Sequence, residues 1–533
     1  MTRAMRQPIN PPMGMMTNQP HQGTLKARLW PRAKPLLMAS LAGLVASLAL
    51  PPHGIDIAIF ALLVPAMQLL RAERGIEAFR LGWMTGFGWF VYSLFWISNA
   101  LVVSGGGDVL LIPFSAIGLP LFLGLFWGLG FALAFWAGRN PSSRLVMLAV
   151  SLAVMEYIRG FVFTGFPWNA PGMILANHEI TLAIAASIGL WGGTLAVLLI
   201  AFWPGLVILR AKGLAFAVAI GLLGLWGAGL WQGQAQMAEH PGSGMTVRVV
   251  QPNIPQDQKW NRQDRPDHLR ALVRASRQET NRDLDLILWP ETAFAGFYEH
   301  ERSVIQAIAQ AASSGKTPVL TGTLRFQSPD QFFNSAMMFN PEGVMTQFYD
   351  KRHLVPFGEY APLREFIPFV DVIAGPNDFA QGDAARPMVI TRRDGSAVRL
   401  LPLICYEVIF PAAVRRDLAE TEADVMVNLT NDAWFGDTIG PRQHLAMAQM
   451  RAAETGRPLV RVANTGISAI IDSRGRITHR IDYGTEGVRD VMLSGRLDTL
   501  YARFGDWGFA LMITIVIVMA FASQFLTPYR RRM

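Results

Sequence analysis

Leu401-Pro402-Leu403-Ile404-Cys405-Tyr406-Glu407 holds the single cysteine of a 533-residue chain, placed directly after an apolar run. The aliphatic stretch 398–404, closed by polar residues, predicts a buried strand that delivers Cys405 to its end. A cysteine so placed is either an inert core filler or a nucleophile at the rim of a rigid sheet, where clefts form. With no second cysteine, an intrachain disulfide and a cysteine-based metal cluster are both excluded. The nucleophile reading therefore needs partners of another chemical kind.

Two other segments offer them. Leu286-Ile287-Leu288-Trp289-Pro290-Glu291-Thr292 is an apolar strand stopped by Pro290, so Glu291 projects from its end. Tyr349-Asp350-Lys351-Arg352-His353-Leu354-Val355-Pro356-Phe357-Gly358-Glu359-Tyr360 carries Lys351 and Glu359. Taken singly, a strand-end glutamate or a loop lysine is a surface charge. Taken together they answer a chemical need, because a thiol of pKa about 8.5 is a poor nucleophile until a base takes its proton or a cation stabilises the thiolate. Glu291 is the candidate base, its proton affinity raised by burial and lowered by a nearby ammonium. Lys351, with the backbone amide after Cys405, is the candidate oxyanion stabiliser.

Around these segments, from Met245 onward, short β-branched runs alternate with amphipathic stretches, the signature of an α/β domain over 245–500. Strands are expected at 246–251, 284–289, 318–323, 335–340, 398–404, 424–429, 459–463 and 468–472, and helices at 264–279, 301–313, 411–420 and 442–455. Pro341-Glu342-Gly343 and Ser473-Arg474-Gly475 mark hairpin turns.

The rest of the chain has a different solvent. Hydrophobic residues make up 51% of the sequence, more than one soluble core buries, and charged residues only 16%. The net charge of +8, with no basic run interleaved with aromatics, reads as topology marking and not as a nucleic-acid surface. Apolar stretches at 36–50, 55–70, 81–103, 109–138, 145–163, 180–209 and 214–231 predict a bundle over 26–235, and 507–527 predicts one more span. The first of these also has the length of a signal-peptide core. Residues 1–25, rich in Pro, Met, Gln and Asn, read as a disordered lead-in. Arg28, Arg32 and Lys34, then Arg71, Arg74 and Arg80, Arg139 and Arg144, Arg210 and Lys212, and the tail Arg530-Arg531-Arg532 all fall on one side of the expected spans. By the positive-inside rule both termini are cytoplasmic and the α/β domain lies across the membrane. Inside the fifth stretch, Glu156 and Arg159 are either a lipid-headgroup site or a structural ion pair at a helix end.

The motifs Trp289-Pro290-Glu291, Lys351 through Glu359, and Cys405-Tyr406-Glu407, in that order, resemble the Glu-Lys-Cys triad segments of the nitrilase, or carbon–nitrogen hydrolase, superfamily, over about half of the chain. The membrane half with Thr164-Gly165-Phe166-Pro167-Trp168 narrows the resemblance to the apolipoprotein N-acyltransferases, the membrane members that finish bacterial lipoproteins. Gln251-Pro252-Asn253-Ile254-Pro255-Gln256, Lys259-Trp260 and Asn428-Leu429-Thr430-Asn431-Asp432-Ala433-Trp434-Phe435-Gly436 fit the same pattern. The resemblance implies a multi-span α-helical membrane bundle plus a four-layer αββα nitrilase-like sandwich. It implies Glu291, Lys351 and Cys405 as the triad, Glu359 holding the lysine or assisting proton transfer, and Tyr406 and Glu407 beside the nucleophile. Trp260, Asn431 and Trp434 fall in segments associated with the cleft, or serve the framework.

The same resemblance implies a phospholipid acyl donor such as phosphatidylethanolamine, a diacylglyceryl-lipoprotein acceptor, and ping-pong transfer through a Cys405 thioester. It implies a monomer in the bacterial inner membrane, with no cofactor, metal or nucleic acid. A thioester must be shielded from water, and Phe366-Ile367-Pro368-Phe369 reads as a lid at the bilayer surface or as a staple within the domain. Two rivals share parts of this pattern: a membrane-tethered amidase using water as acceptor, and a transporter or lipid-binding protein whose outer domain only recognises ligands.

Overall fold

The computed structural model describes residues 25–103, 111–235, 244–328, 331–362, 364, 378–392 and 394–526. The lead-in up to residue 24, the connection 104–108, the segment 366–369 and the tail 530–532 lie outside the described residues.

All the apolar stretches form helices: α1 (Leu25–Ser47), α2 (Leu63–Leu69), α3 (Gly75–Ser93), α4 (Ile97–Val103), α5 (Leu119–Ala137), α6 (Pro141–Arg159), α7 (Glu179–Ile208) and α8 (Lys212–Ala235). Among the described residues four helices are long and apolar enough to cross a membrane, or five if α3 and α4 count as one span bent by 45°. Hydropathy registers composition, whereas the break between α3 and α4 and the 3-10 start of the second stretch at Asp56–Leu62 are set by packing.

Glycine allows the closest approach in the bundle. A Cβ at Gly88 of α3 would stand 1.8 Å from the Ser40 carbonyl oxygen, and one at Gly43 of α1 would stand 2.0 Å from the Thr85 oxygen. The two backbones therefore touch directly, the usual way helices associate where no hydrophobic force favours protein over lipid.

The α/β part contains β1 (Thr246–Gln251), β2 (Leu286–Leu288), β3 (Phe294–Phe297), β4 (Val319–Ser328), β5 (Gln331–Phe339), β6 (Met345–Asp350), β7 (Met388–Thr391), β8 (Ala397–Ile404), β9 (Val425–Thr430), β10 (Leu459–Ala463), β11 (Ser468–Ile471), β12 (Ile477–Ile481) and β13 (Gly487–Met492). One sheet runs β13-β1-β2-β4-β5-β6 with β3 beside β4, and the other runs β12-β11-β10-β9-β8-β7. Apolar residues of both sheets, among them Val247, Leu286, Leu400, Val427 and Val460, share one core, so the sheets lie face to face. Helices α9 (Gln256–Lys259), α10 (Arg265–Ser276) and α11 (Arg302–Ser313) follow β1 and β3, and α10 and α11 cover the first sheet through Leu272, Ile305 and Ile287. Helices α12 (Pro411–Thr421) and α13 (Ile439–Thr455) cover the second. The result is the expected four-layer αββα order.

The outer face of the second sheet is not exposed to water. Leu401, Leu403, Val414 and Leu445 belong to one core with Trp89, Trp127 and Leu190 of the bundle. Helix α13 is consequently buried along nearly its whole length. The short α14 (Leu500–Phe504) and the apolar α15 (Trp507–Leu526) return the chain to the bundle.

Replacing Gly88 by Leu should lower the unfolding free energy by at least ~2 kcal/mol through overpacking, whereas Gly213→Ala, where nothing lies within 4 Å of the added Cβ, should change it by less than ~1 kcal/mol. Thermal unfolding of both variants in detergent micelles measures the contrast, and equal midpoints would refute the tight α1–α3 contact.

Candidate active site

β8 pairs in parallel with β9 inside the second sheet, and the chain leaves it by a sharp turn at Cys405, whose φ is +50. A non-glycine residue in that region is strained and persists only where its surroundings fix it. Here the Cys405 carbonyl oxygen is held by Asn428 Nδ2 at 3.2 Å, and His444 Nε2 lies 3.2 Å from it. Behind it, the buried Asp432 carboxylate is 3.0 Å from His444 Nδ1 and 2.6 Å from Arg461, whose guanidinium also donates to Asn428 Oδ1 at 2.6 Å. Despite its burial, Asp432 is held down at about 2, chiefly by the Arg461 charge.

Cys405 is buried at the edge of the core between the sheets, with the charges of Glu291, Lys351 and Asp432 acting on its thiol. Burial and the Glu291 carboxylate push its thiol up to about 12, against the opposing pull of Lys351 and a hydrogen bond from Thr430. Glu291, beyond the end of β2, is also buried. Burial and Glu359 raise its proton affinity, while Lys351, Lys259 and the Asn334 hydrogen bond lower it. Asn334 Nδ2 reaches both carboxylates, Glu291 Oε1 at 2.8 Å and Glu359 Oε1 at 3.2 Å. Lys351 follows β6 and donates from Nζ to Glu359 Oε1 at 2.8 Å. Burial alone would lower its ammonium, but Glu359, Glu291 and Cys405 outweigh that and hold it fully charged. Glu359 Oε2 in turn accepts from the Val355 amide at 2.8 Å, which closes the loop around the lysine. Glu291, Lys351 and Cys405, remote in sequence, thus meet within electrostatic reach of one another.

Glu407 is the fastener of this cluster. Its Oε1 accepts from the Tyr349 hydroxyl at 2.8 Å and from the amides of Arg352 at 2.8 Å and His353 at 3.1 Å, while Oε2 accepts from the Ile404 amide at 2.7 Å. One buried carboxylate therefore ties the cysteine turn to the lysine loop. The Tyr406 ring points to the bundle, its hydroxyl donating to the Gly165 oxygen at 3.4 Å.

The expected cleft residues divide. Trp260 and Trp434 are 51% and 37% exposed. Asn431 is buried and bonds Gln256 Oε1 at 2.7 Å and Asn464 at 3.2 Å, stitching three loops. Glu156 and Arg159 are 0% and 1% exposed and pair with each other at 2.5 Å. Trp127 donates to Glu156 at 2.8 Å, and Arg159 donates to the carbonyls of Phe166 and Trp168. They pin the 166–168 segment from inside the bundle and form no bond to Glu291, Lys351 or Cys405. Lys259, Asn334, Thr430, Asp432, His444 and Arg461 are site neighbours that the sequence reading did not single out. Lys259, Thr430 and Asp432 stand within the quoted motifs, whereas Asn334, His444 and Arg461 carry no local signal.

Residues 246–499 match the carbon-nitrogen hydrolase family, and residues 42–203 match the apolipoprotein N-acyltransferase N-terminal domain. An apolipoprotein N-acyltransferase of Rhodopseudomonas palustris is 37% identical over 93% of this chain and 96% of its own length. Its namesake in Agrobacterium fabrum is 37% identical over 86% and 90%. Among solved structures, an amidase from Nesterenkonia sp. AN1 aligns at 20% identity with a TM-score of 0.37, over 51% of this chain and 97% of that one.

Since the thiol is pushed up to about 12, the rate at which iodoacetamide alkylates Cys405 should climb about tenfold per pH unit between about pH 7 and 10. Lys351→Met removes the cation that favours the thiolate and should slow alkylation at fixed pH by roughly tenfold. Mass spectrometry on the single cysteine reads both, and a plateau below pH 8 would contradict the burial argument.

Proposed function

This chain belongs to the apolipoprotein N-acyltransferase family, and from that premise we propose that it moves an acyl chain from a phospholipid to the N-terminal α-amine of a diacylglyceryl-modified lipoprotein. The observation that carries the reading is a lone cysteine in a buried ionic cluster whose supporting helix is embedded in a membrane bundle. Phosphatidylethanolamine is the donor that the reading favours.

Cys405 Sγ attacks the ester carbonyl carbon of the donor as Glu291 takes the thiol proton. A thiol held near 12 stores little free thiolate, so proton removal accompanies attack, which calls for a base in contact with the sulfur. Oxygen charge in the tetrahedral intermediate is stabilised by the Lys351 ammonium and the Tyr406 amide. Collapse breaks the ester C–O bond, and the lysophospholipid leaves with the proton that Glu291 returns. The α-amine then attacks the thioester carbonyl, Glu291 takes its proton, and the departing thiolate is reprotonated. Glu359 keeps Lys351 aimed and charged, and Glu407 keeps the lysine loop and the cysteine turn in register.

Both substrates carry acyl chains whose transfer into water costs about 0.8 kcal/mol per methylene. A site built on the bundle avoids that cost, which favours acyl transfer over hydrolysis of a small soluble amide. The arginine asymmetry supports cytoplasmic termini and a periplasmic catalytic domain, covering about 245–500, in the inner membrane.

Incubating the full-length protein in micelles with phosphatidylethanolamine should give an acyl adduct on Cys405 and one equivalent of lysophospholipid. Glu291→Gln should slow adduct formation by at least ~100-fold while the fold persists. A water-soluble amide as the only productive substrate would overturn the assignment.

A further inference from the structure

A second lysine borders the site. Lys259 ends α9 and is 4% exposed, while the neighbouring Trp260 is half exposed, the reverse of the usual preference of these side chains. Its Nζ donates to the Glu291 main-chain oxygen at 3.2 Å, and among the described residues it forms no ion pair. Burying an ammonium against a carbonyl alone is costly unless nearby charge compensates. The charges that face it are Glu291 and Cys405.

Building on the acyl-transfer reading above, we infer that Lys259 is a positioning residue, which anchors the strand-end backbone of Glu291 and supplies the charge that keeps its carboxylate ionised at working pH. The backbone needs an anchor, because Thr292, the next residue, has φ +46. The charge balance at Glu291 also needs it. The groups facing the carboxylate are Lys351 and Glu359 from the loop after β6, Asn334 from β5, Lys259 from α9 and the Cys405 thiol at the end of β8. Lys351 is the larger of the two opposing cations but is shared with Glu359 at 2.8 Å, and Lys259 adds to it against burial and Glu359 repulsion. Burial brings Lys259 down to about 8, so it remains mostly protonated at pH 7.

The sign follows directly. Removing the Lys259 charge raises the Glu291 pKa, so the base stays protonated to a higher pH and the acidic limb of the thioester-forming rate moves upward. Single-turnover formation of the Cys405 adduct from phosphatidylethanolamine, measured from pH 5 to 9 on the full-length protein, reads that limb. Lys259→Gln keeps a donor without charge and should shift the limb up by about one pH unit, a loss of about tenfold at low pH, with the alkaline plateau retained. Lys259→Arg keeps the charge and should leave the limb where it is. A limb unmoved in Lys259→Gln, an equal shift in both variants, or failure of both to fold would overturn the inference and assign Lys259 to the framework. Absence of any adduct in the unsubstituted protein would instead refute the acyl-transfer reading itself.

Discussion

One side-chain amide joins the two halves of this molecule. Gln443, near the start of α13, accepts from the indole nitrogens of Trp96 at 3.0 Å and Trp168 at 2.9 Å, and its own nitrogen donates to the Ser93 oxygen at 3.2 Å. Those indoles meet in the bundle at a 44° tilt with centroids 4.8 Å apart, and the Trp168 ring lies 5.4 Å from the His444 ring. His444, the next residue along α13, contacts the Cys405 carbonyl oxygen. A continuous set of buried contacts therefore runs from membrane helices to the cysteine backbone. Each polar member has a partner, the condition under which a buried network rigidifies instead of destabilising.

The chemistry of the cluster follows from the same dryness. Taking charge out of water pushes the Cys405 thiol and the Glu291 carboxyl toward their neutral forms, while Lys351 stays charged because carboxylates surround it. A neutral thiol, a carboxylate of raised proton affinity and a fixed cation thus stand together, and ionisation of the sulfur is disfavoured at rest. Glu407 makes the arrangement durable, since truncating it would leave buried amides on two separate loops without an acceptor.

Much of this was readable in the sequence, for identifiable reasons. β1 and β10 fall on their expected bounds because buried strands are runs of β-branched residues. The edge strands β6, β7, β12 and β13 were missed because one face of each meets water, which leaves β6, β12 and β13 as polar as loops, while β7 is only four residues long. The first residues of α13 were missed as well, since the helix begins at Ile439 under a Thr438 cap and not at 442. Glu291 and Cys405 were visible as strand ends, and Lys351 through the motif that carries it. Lys259 was not, because a lysine beside a tryptophan in a short loop reads as surface, and only its burial under Glu291 reveals otherwise. Helix breaks were not legible, because they depend on neighbours that composition does not display.

Helix α7 carries such a break. At Gly189 the backbone turns to φ +66, and the Tyr501 ring occupies the space that a side chain there would need. The amide of Leu190, which restarts the helix, finds its acceptor in Glu454 Oε1 at 2.7 Å, a carboxylate from the far end of α13. A membrane helix normally completes its hydrogen bonding within itself; this one borrows an acceptor from the α/β domain. Assembly order is thereby constrained: residues 190–208 obtain their full cap only after the strands and helices made later in translation have folded and docked. The bundle is a scaffold finished by its own cargo.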